Sequence, residues 1–225
     1  MLIISHKSRV EFVKFLEENN LTYIKTIDNP NLDKRIADHP DLSIFILNKD
    51  TIFIDKSVKY EYRKRLLDKN IIPGESVCKS YPEDAIYNIY MADSYYIHND
   101  FTEKNISLYM KAHNIKHLYV KQGYSRCSII PMGEKILTSD FGIYKSLKDK
   151  IEVILLEKEK IELDGFDHGF IGGCCGFFDN TLIFNGNIEK LNSFETIKNE
   201  ADKSKIKLLY PKSCDLLDTG SILYC

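Results

Sequence analysis

The side chains best suited to do chemistry in this sequence are its thiols and imidazoles. There are six cysteines (Cys78, Cys127, Cys174, Cys175, Cys214, Cys225) and six histidines. A thiolate attacks electrophilic carbon, and an imidazole moves protons near neutral pH. The cysteines lack paired spacing and the adjacent Cys174-Cys175 pair is a poor disulfide, so reduced thiols are expected. A metal site built from His39, His168 and the cysteines would need a ligand spacing that the sequence does not specify. There is no P-loop, dinucleotide fingerprint or Gly-x-Ser-x-Gly elbow, so no cofactor is expected.

Two of these thiols sit in the stretch that organises the chain, residues 170–187, FIGGCCGFFDNTLIFNGN. It reads as a tight β-hairpin: a Gly/Cys-rich first strand, a polar turn at Asp179-Asn180, and a buried second strand at 181–184. Glycine weakens a strand unless another backbone or a ligand must come close. The same cadence recurs. The turn residues Asp50, Asp93, Glu134 and Asn180 are spaced by 43, 41 and 46 residues, a period in the range of repeat arrays. Two to four residues past each of them, eleven of twelve positions are apolar, Thr138 being the exception. Five past, the residue is always polar: Asp55, His98, Ser139, Asn185. Coincidental hydrophobic runs would not hold that phase.

Hydrophobic period fills in the rest. Hairpins are predicted at 43–47 with 51–54, 85–91 with 94–97, and 125–130 with 135–138. Helices are predicted at 60–68, 106–113, 143–147 and 194–203, with further strands at 115–120, 151–156 and 206–210. A strand at 1–5, an apolar helical stripe from Val10 to Leu16, a strand at 21–24 and a closing strand at 221–225 complete the list. The unit is hairpin–helix–strand. Joining the closing strand to residues 1–5 as one split unit gives five, and would remove open sheet edges. The expected fold class is α/β, a five-unit propeller of such repeats in one domain over residues 1–225.

Bulk properties narrow the partners. With 31 basic and 33 acidic residues, nothing points to nucleic acid or an anionic membrane. The opening MLIISHKSR is too short for a signal peptide, and no apolar run approaches the roughly 18 residues of a membrane span. A cytoplasmic location is expected.

A ring of five such units resembles the pentein fold, the guanidino-group-modifying fold of arginine deiminases, dimethylarginine hydrolases and amidinotransferases. The chain also resembles an uncharacterised family of that fold in carrying HPD (39–41), QGYSRCS (122–128), TSD (138–140), GFIGG (169–173) and DTGSI (218–222). The resemblance implies a central channel lined by the first strand of each hairpin. Its chemistry would need a thiolate to attack the guanidinium carbon, a histidine to move protons and carboxylates to hold the cationic nitrogens.

What the resemblance implies for single residues is mixed. His168 lies within one residue of the proton-transfer position, with a loop histidine as the plain alternative. The acidic Gly-Gly-Asp-like stretch is replaced by Gln122-Gly123-Tyr124-Ser125, which cannot ion-pair with a guanidinium. Asp41 and Asp84 each stand nine residues before their turn residues, so they share a phase. In the closing strand Leu223 and Tyr224 occupy the expected His and Cys places, and Cys225 reaches the site only through a bulge. Candidate catalytic groups are therefore His168, Cys175 and Cys225; candidate ligand-binding groups are His39, Asp41, Asp84, Ser125, Cys127 and Cys174. His6, His98, His113 and His117 are scattered, and His113 and His117, which flank a helix end, read as structural. The expected function is binding of a small polar molecule in the channel, with guanidine hydrolase or deiminase chemistry disfavoured. The alternative is a Cys/His-dependent enzyme acting on amidine or amide C–N bonds. A macromolecular partner stays open, because ribosome anti-association factors share the fold.

Overall fold

A computed structural model describes residues 1–225. The chain opens with β1 (Leu2–Ile4), α1 (Val10–Glu18) and β2 (Tyr23–Lys25). Four blocks of one plan follow. The first is β3 (Ile44–Ile46), β4 (Thr51–Asp55), α2 (Lys59–Arg63) and β5 (Asn70–Gly74). The second is β6 (Tyr90–Met91), β7 (Tyr95–His98), α3 (Lys104–Ala112) and β8 (Lys116–Tyr119). The third is β9 (Ile130–Met132), β10 (Lys135–Thr138), α4 (Phe141–Leu147) and β11 (Val153–Leu155). The fourth is β12 (Cys175–Phe178), β13 (Thr181–Phe184), α5 (Phe194–Lys203) and β14 (Lys207–Leu209), and β15 (Leu223–Tyr224) ends the chain.

Each block folds into a three-stranded sheet: an antiparallel hairpin, then a helix that returns the chain to a parallel third strand. A parallel partner needs such a crossover, because a short turn can only reverse the chain. The fifth sheet is split between the chain's ends, in the order β15-β1-β2, with Leu2 opposite Tyr224. The Met1 ammonium donates to the Cys225 carbonyl at 2.6 Å and the Cys225 amide donates back at 3.1 Å. Of the hairpin turns, Asp179 and Asn180 both take positive φ (41° and 59°), the paired left-handed geometry that matches strand twist.

The second strands are fully apolar in their middles because they lie between a hairpin partner and a parallel partner, under a helix. Their last residue or the one after it is polar, and it serves as a staple. Buried Asp55 accepts from the Asn29 amide group and the Val77 amide (both 2.9 Å) and from the Ser57 amide (2.8 Å). His98 meets the carbonyls of Ala85 (3.2 Å) and Gly123 (2.9 Å) through Nε2. Thr138 donates to the Ser128 carbonyl (2.7 Å), and Asn185 to that of Leu217 (2.6 Å). Helix α3 starts on Glu103, whose carboxylate accepts the Ile106 amide at 2.7 Å, and α4 on Asp140, which accepts Ile143 at 2.9 Å. Each such cap stabilises its helix by about 1 kcal/mol.

The first strands are shorter than their apolar runs predict. The segment before β12 is a 3-10 turn over Ile171–Cys174 rather than strand, and β6 spans only two residues where 85–91 was expected. Residues 125–129 likewise form turns ahead of β9. These segments are apolar because they are buried at the centre of the molecule, yet no neighbouring strand is there to pair with them. Their backbone bonds locally instead, as in Ala85 to Pro82, Ser128 to Tyr124 and Gly173 to Phe170. After α2 comes a strand that the hydrophobic pattern did not predict, β5, since Asn70–Gly74 pairs in register with Thr51–Asp55. No helix is long and apolar enough to cross a membrane.

Candidate functional site

The turns that precede the first strands meet at the centre, and their crowding dictates glycine. A Cβ on Gly172 would press on the carbonyl oxygens of Cys127 and, at 2.5 Å, of Ile129. Gly173 faces the Asp218 carboxylate as closely. At this centre lies a buried polar cluster. Cys127 Sγ donates to Asp41 Oδ2 (2.9 Å), and the same oxygen accepts the Ser221 amide (2.9 Å). Asn88 holds Cys127 from the other side, accepting its amide (3.0 Å) and donating to its sulfur (3.1 Å). Ser221 Oγ donates to the Gly172 carbonyl at 3.2 Å.

A cavity opens on each side of the cluster. The loop-end cavity, about 240 Å³, is lined among others by His39, Tyr124, Cys127, His168, Phe170 and Asp218. Leu163 and Phe166 of the preceding loop form its lip, and Arg35 pins that loop by stacking over Phe166 (4.0 Å) and donating to the Gly165 carbonyl (2.7 Å). The turn-end cavity, about 740 Å³, is lined by residues from all five first strands and by three hairpin turns, with Asp41 and Arg126 among its polar residues beside Asp93, Ser94, Glu134 and Asn180 of the turns. The Cys127–Asp41 hydrogen bond joins a wall of one cavity to a wall of the other.

Electrostatics separate the groups sharply. Burial pushes the Cys127 thiol well up, and the neighbouring Asp41 and Asp218 carboxylates push it further. Burial raises Cys174 likewise and Cys175 to about 11, the latter opposed by Arg126. The Asp218 carboxyl is raised by burial, against the pull of His39 and of the Phe170 and Gly220 amides that it accepts at 2.7 and 3.0 Å. Burial also raises Asp84, which accepts the Tyr124 hydroxyl at 2.7 Å.

The predicted site residues therefore divide. His39, Cys127 and His168 line one cavity, His39 buried and His168 exposed at the mouth. Asp41 faces the other. Asp84 stands one hydrogen bond behind Tyr124, and Ser125 Oγ is spent on the Gln122 carbonyl (2.7 Å). Cys174 and Cys175 point into the largest hydrophobic cluster, beside Leu182 and Phe184. Cys225 packs in a different cluster with Ile3, Ile44 and Tyr62, and lines neither cavity. The strand register explains this: β15 ends at Tyr224 without a bulge, so Cys225 does not turn toward the centre. Sequence reasoning missed Asp218, Tyr124 and Arg126 as cavity residues. Asp218 carried a signal, since an aspartate two residues before Gly220, which takes φ 75°, marks a turn that its side chain closes.

Five hairpin–helix–strand sheets around this centre define a pentein fold, and solved structures of that fold superpose over nearly the whole chain. The dimethylarginine dimethylaminohydrolase of Pseudomonas aeruginosa, in complex with citrulline, matches at a TM-score of 0.53 and 9% identity, covering 94% of this chain and 91% of that one. Agmatine deiminase of C. jejuni matches at 0.54 and 13%, covering 97% and 81%. The inosamine-phosphate amidinotransferase of Streptomyces griseus matches at 0.56 and 13%, covering 96% and 77%. No curated protein matches the sequence. The chain belongs to the family of unknown function DUF6873, whose profile matches residues 3–223.

Proposed function

We propose that this protein binds a small polar molecule in the loop-end cavity and does not carry out thiolate-dependent guanidine chemistry. The observation that carries the reading is the pairing of a mainly apolar cavity that carries two histidines with a fully buried thiol whose hydrogen bond runs to a carboxylate. His39, His168, Tyr124 and Asp218 supply donors and acceptors among the apolar walls of Ile36, Leu42 and Phe170, a composition typical of ligand sites. Cys127, at the inner wall, is buried, donates its proton to Asp41 and has its ionisation suppressed by burial and two carboxylates. A nucleophilic cysteine needs the opposite surroundings. The second reading, a Cys/His enzyme for amidine or amide C–N bonds, is favoured by the meeting of Cys127 with His39 and His168 in one cavity.

Two measurements separate them. A thermal-shift screen of guanidino, amidino and amide compounds is expected to find a ligand whose effect disappears in His168→Ala and in His39→Ala. A flat screen would remove the small-molecule reading and leave a macromolecular partner. Iodoacetamide near pH 7 is expected to label exposed Cys78 well before Cys127. Faster labelling of Cys127, slowed by His39→Ala, would overturn the non-catalytic reading.

A further inference from the structure

Each of the five sheets ends on the strand that follows its helix, and these outer edges are not protected alike. An unpaired edge offers free N–H and C=O groups to any passing strand, and proteins blunt it with lysine or proline. Four of the five carry one inside the strand: Lys25 in β2, Pro73 in β5, Lys116 in β8 and Lys207 in β14. The fifth, β11, is Val153-Ile154-Leu155 and has neither. Its ladder to β10 uses the Glu152 carbonyl, which accepts the Ile136 amide at 3.1 Å, and the Leu156 amide, which donates to Thr138 at 2.9 Å. In a parallel ladder alternate residues bond to the same neighbour, so the backbone groups of Val153 and Leu155 point outward. No other strand meets them. The Leu155 side chain is 40% exposed. It shares a face with Val153, which packs on Ile143 and Leu147 of α4. Leu155 is level with Thr138 and α4 begins at Phe141, so the first turn of that helix lies at the same end. There Phe141, 61% exposed, sits against Tyr144 with ring centroids 6.2 Å apart.

We propose that β11 is the docking edge for a second copy of this chain, the two β11 strands pairing antiparallel about a two-fold axis through Leu155. Such an axis makes the interface self-complementary, so one edge serves both subunits. In this register each Leu155 exchanges backbone hydrogen bonds with its own copy, Val153 faces the partner's Glu157, and Glu152 faces the partner's Lys158. Glu152 and Lys158 are both exposed. Centred on Ile154 or on Val153 instead, the pairing would set Glu152 against the partner's Leu156 or the partner's Ile154. Of the three registers, the one through Leu155 alone gives Glu152 an opposite charge, and symmetry makes that pair twice. The exposed Phe141–Tyr144 pair, at the Leu155 end, adds apolar surface. The interface is small, so the dimer is expected to be weak, with Kd on the order of 10–100 µM. The strand lines neither cavity, and the proposal is therefore independent of the ligand-binding reading.

The test is sedimentation equilibrium of the whole protein from about 5 to 500 µM, a range that brackets the expected Kd. The parent is expected to pass from monomer to dimer and no further. Leu155→Lys gives β11 the protection that the other four edges carry, and is expected to weaken the dimer at least about tenfold. Leu108→Lys adds the same charge at an exposed position on α3, in another unit, and is expected to leave the dimer unchanged. Glu152→Lys and Lys158→Glu each set like charges against one another twice, and each is expected to weaken the dimer about fivefold. Combined in one chain they are expected to restore it. Glu152 also reaches Lys135 at 3.5 Å, but that contact is lost in the single and the combined variant alike, so rescue can come only from across the interface. The proposal is overturned by a parent that stays monomeric at about 500 µM, or by a dimer that Leu155→Lys leaves unchanged, which would use another face. Equal weakening by Leu108→Lys, or a combined charge swap no tighter than the single reversals, overturns it as well.

Discussion

The two cavities flank one polar cluster, yet their buried carboxylates are treated differently by the fold. Asp218, at the loop end, has both oxygens occupied by backbone amides, those of Gly220 and Phe170. Asp41, facing the turn end, has one oxygen fully used and one bare. A carboxylate with two amide partners closes a turn and shapes a wall. One with a bare, inaccessible oxygen leaves an acceptor unpaired in the interior. Burial alone would have treated the two alike, since each is at most 3% exposed; the hydrogen-bond inventory distinguishes them.

The comparison depends on the partition between the cavities, and the partition depends on close backbone contact. Gly172→Ala puts a methyl group against the carbonyls of Cys127 and Ile129, neither of which is the end of a flexible side chain. We expect a loss of at least about 3 kcal/mol in urea-unfolding stability, since relief requires two units to separate. A variant as stable as the parent would mean that the units are not packed this tightly at the centre.

Much of this architecture was legible in the sequence, and the part that was not follows a physical line. The second strands, such as Lys135–Thr138 and Thr181–Phe184, were readable to the residue because their apolar runs are bounded by turn residues on one side and polar staples on the other. The first strands were overextended. Ala85, Ile129 and Ile171 are apolar through burial at the centre, and a one-dimensional pattern does not distinguish that from burial in a sheet. The same blindness affected the site. His39, Cys127 and His168 were singled out by residue type, first-strand position and the family resemblance, but which side of the centre each faces depends on turns that have no period. Asp218 was missed because its partners are backbone amides, which every sequence contains. His98 was passed over as one of several scattered histidines, because its partners are backbone carbonyls that leave no pattern in the sequence.

That histidine provides a way to strain the loop end without altering any cavity residue. His98 ties the segment at Ala85 to the one at Gly123, which leads into Tyr124. Burial lowers its pKa to about 4, while its unfolded value is near 6.5. Between those values the unfolded chain takes up a proton that the folded chain refuses, so stability falls as pH drops from about 6.5 to about 4. The loss from this group reaches roughly 3 kcal/mol at the acid end of the window. Melting temperature measured across that range should decline more steeply for the parent than for His98→Gln. Parallel curves would show that His98 is free to protonate in the folded protein, and the clamp on the loop-end wall would then be absent.

The sharpest probe of the comparison is the smallest chemical change, aspartate to asparagine at each position. Both substitutions remove one buried negative charge, so the relief from desolvation is shared and drops out of the difference. What remains is the count of acceptors. At position 218 the new NH₂ group must confront the amide of Phe170 or of Gly220, leaving two buried donors face to face. At position 41 the amide can keep its oxygen on the Ser221 amide and the Cys127 thiol and place its NH₂ where Oδ1 has no partner, so that no donor is set against it. Asp218→Asn is therefore expected to lose about 1–3 kcal/mol more stability than Asp41→Asn, read from urea midpoints at constant slope. If Asp41→Asn proves the more destabilising of the two, its free oxygen has a partner in the folded protein, and the distinction between the fully paired and the half-paired carboxylate fails.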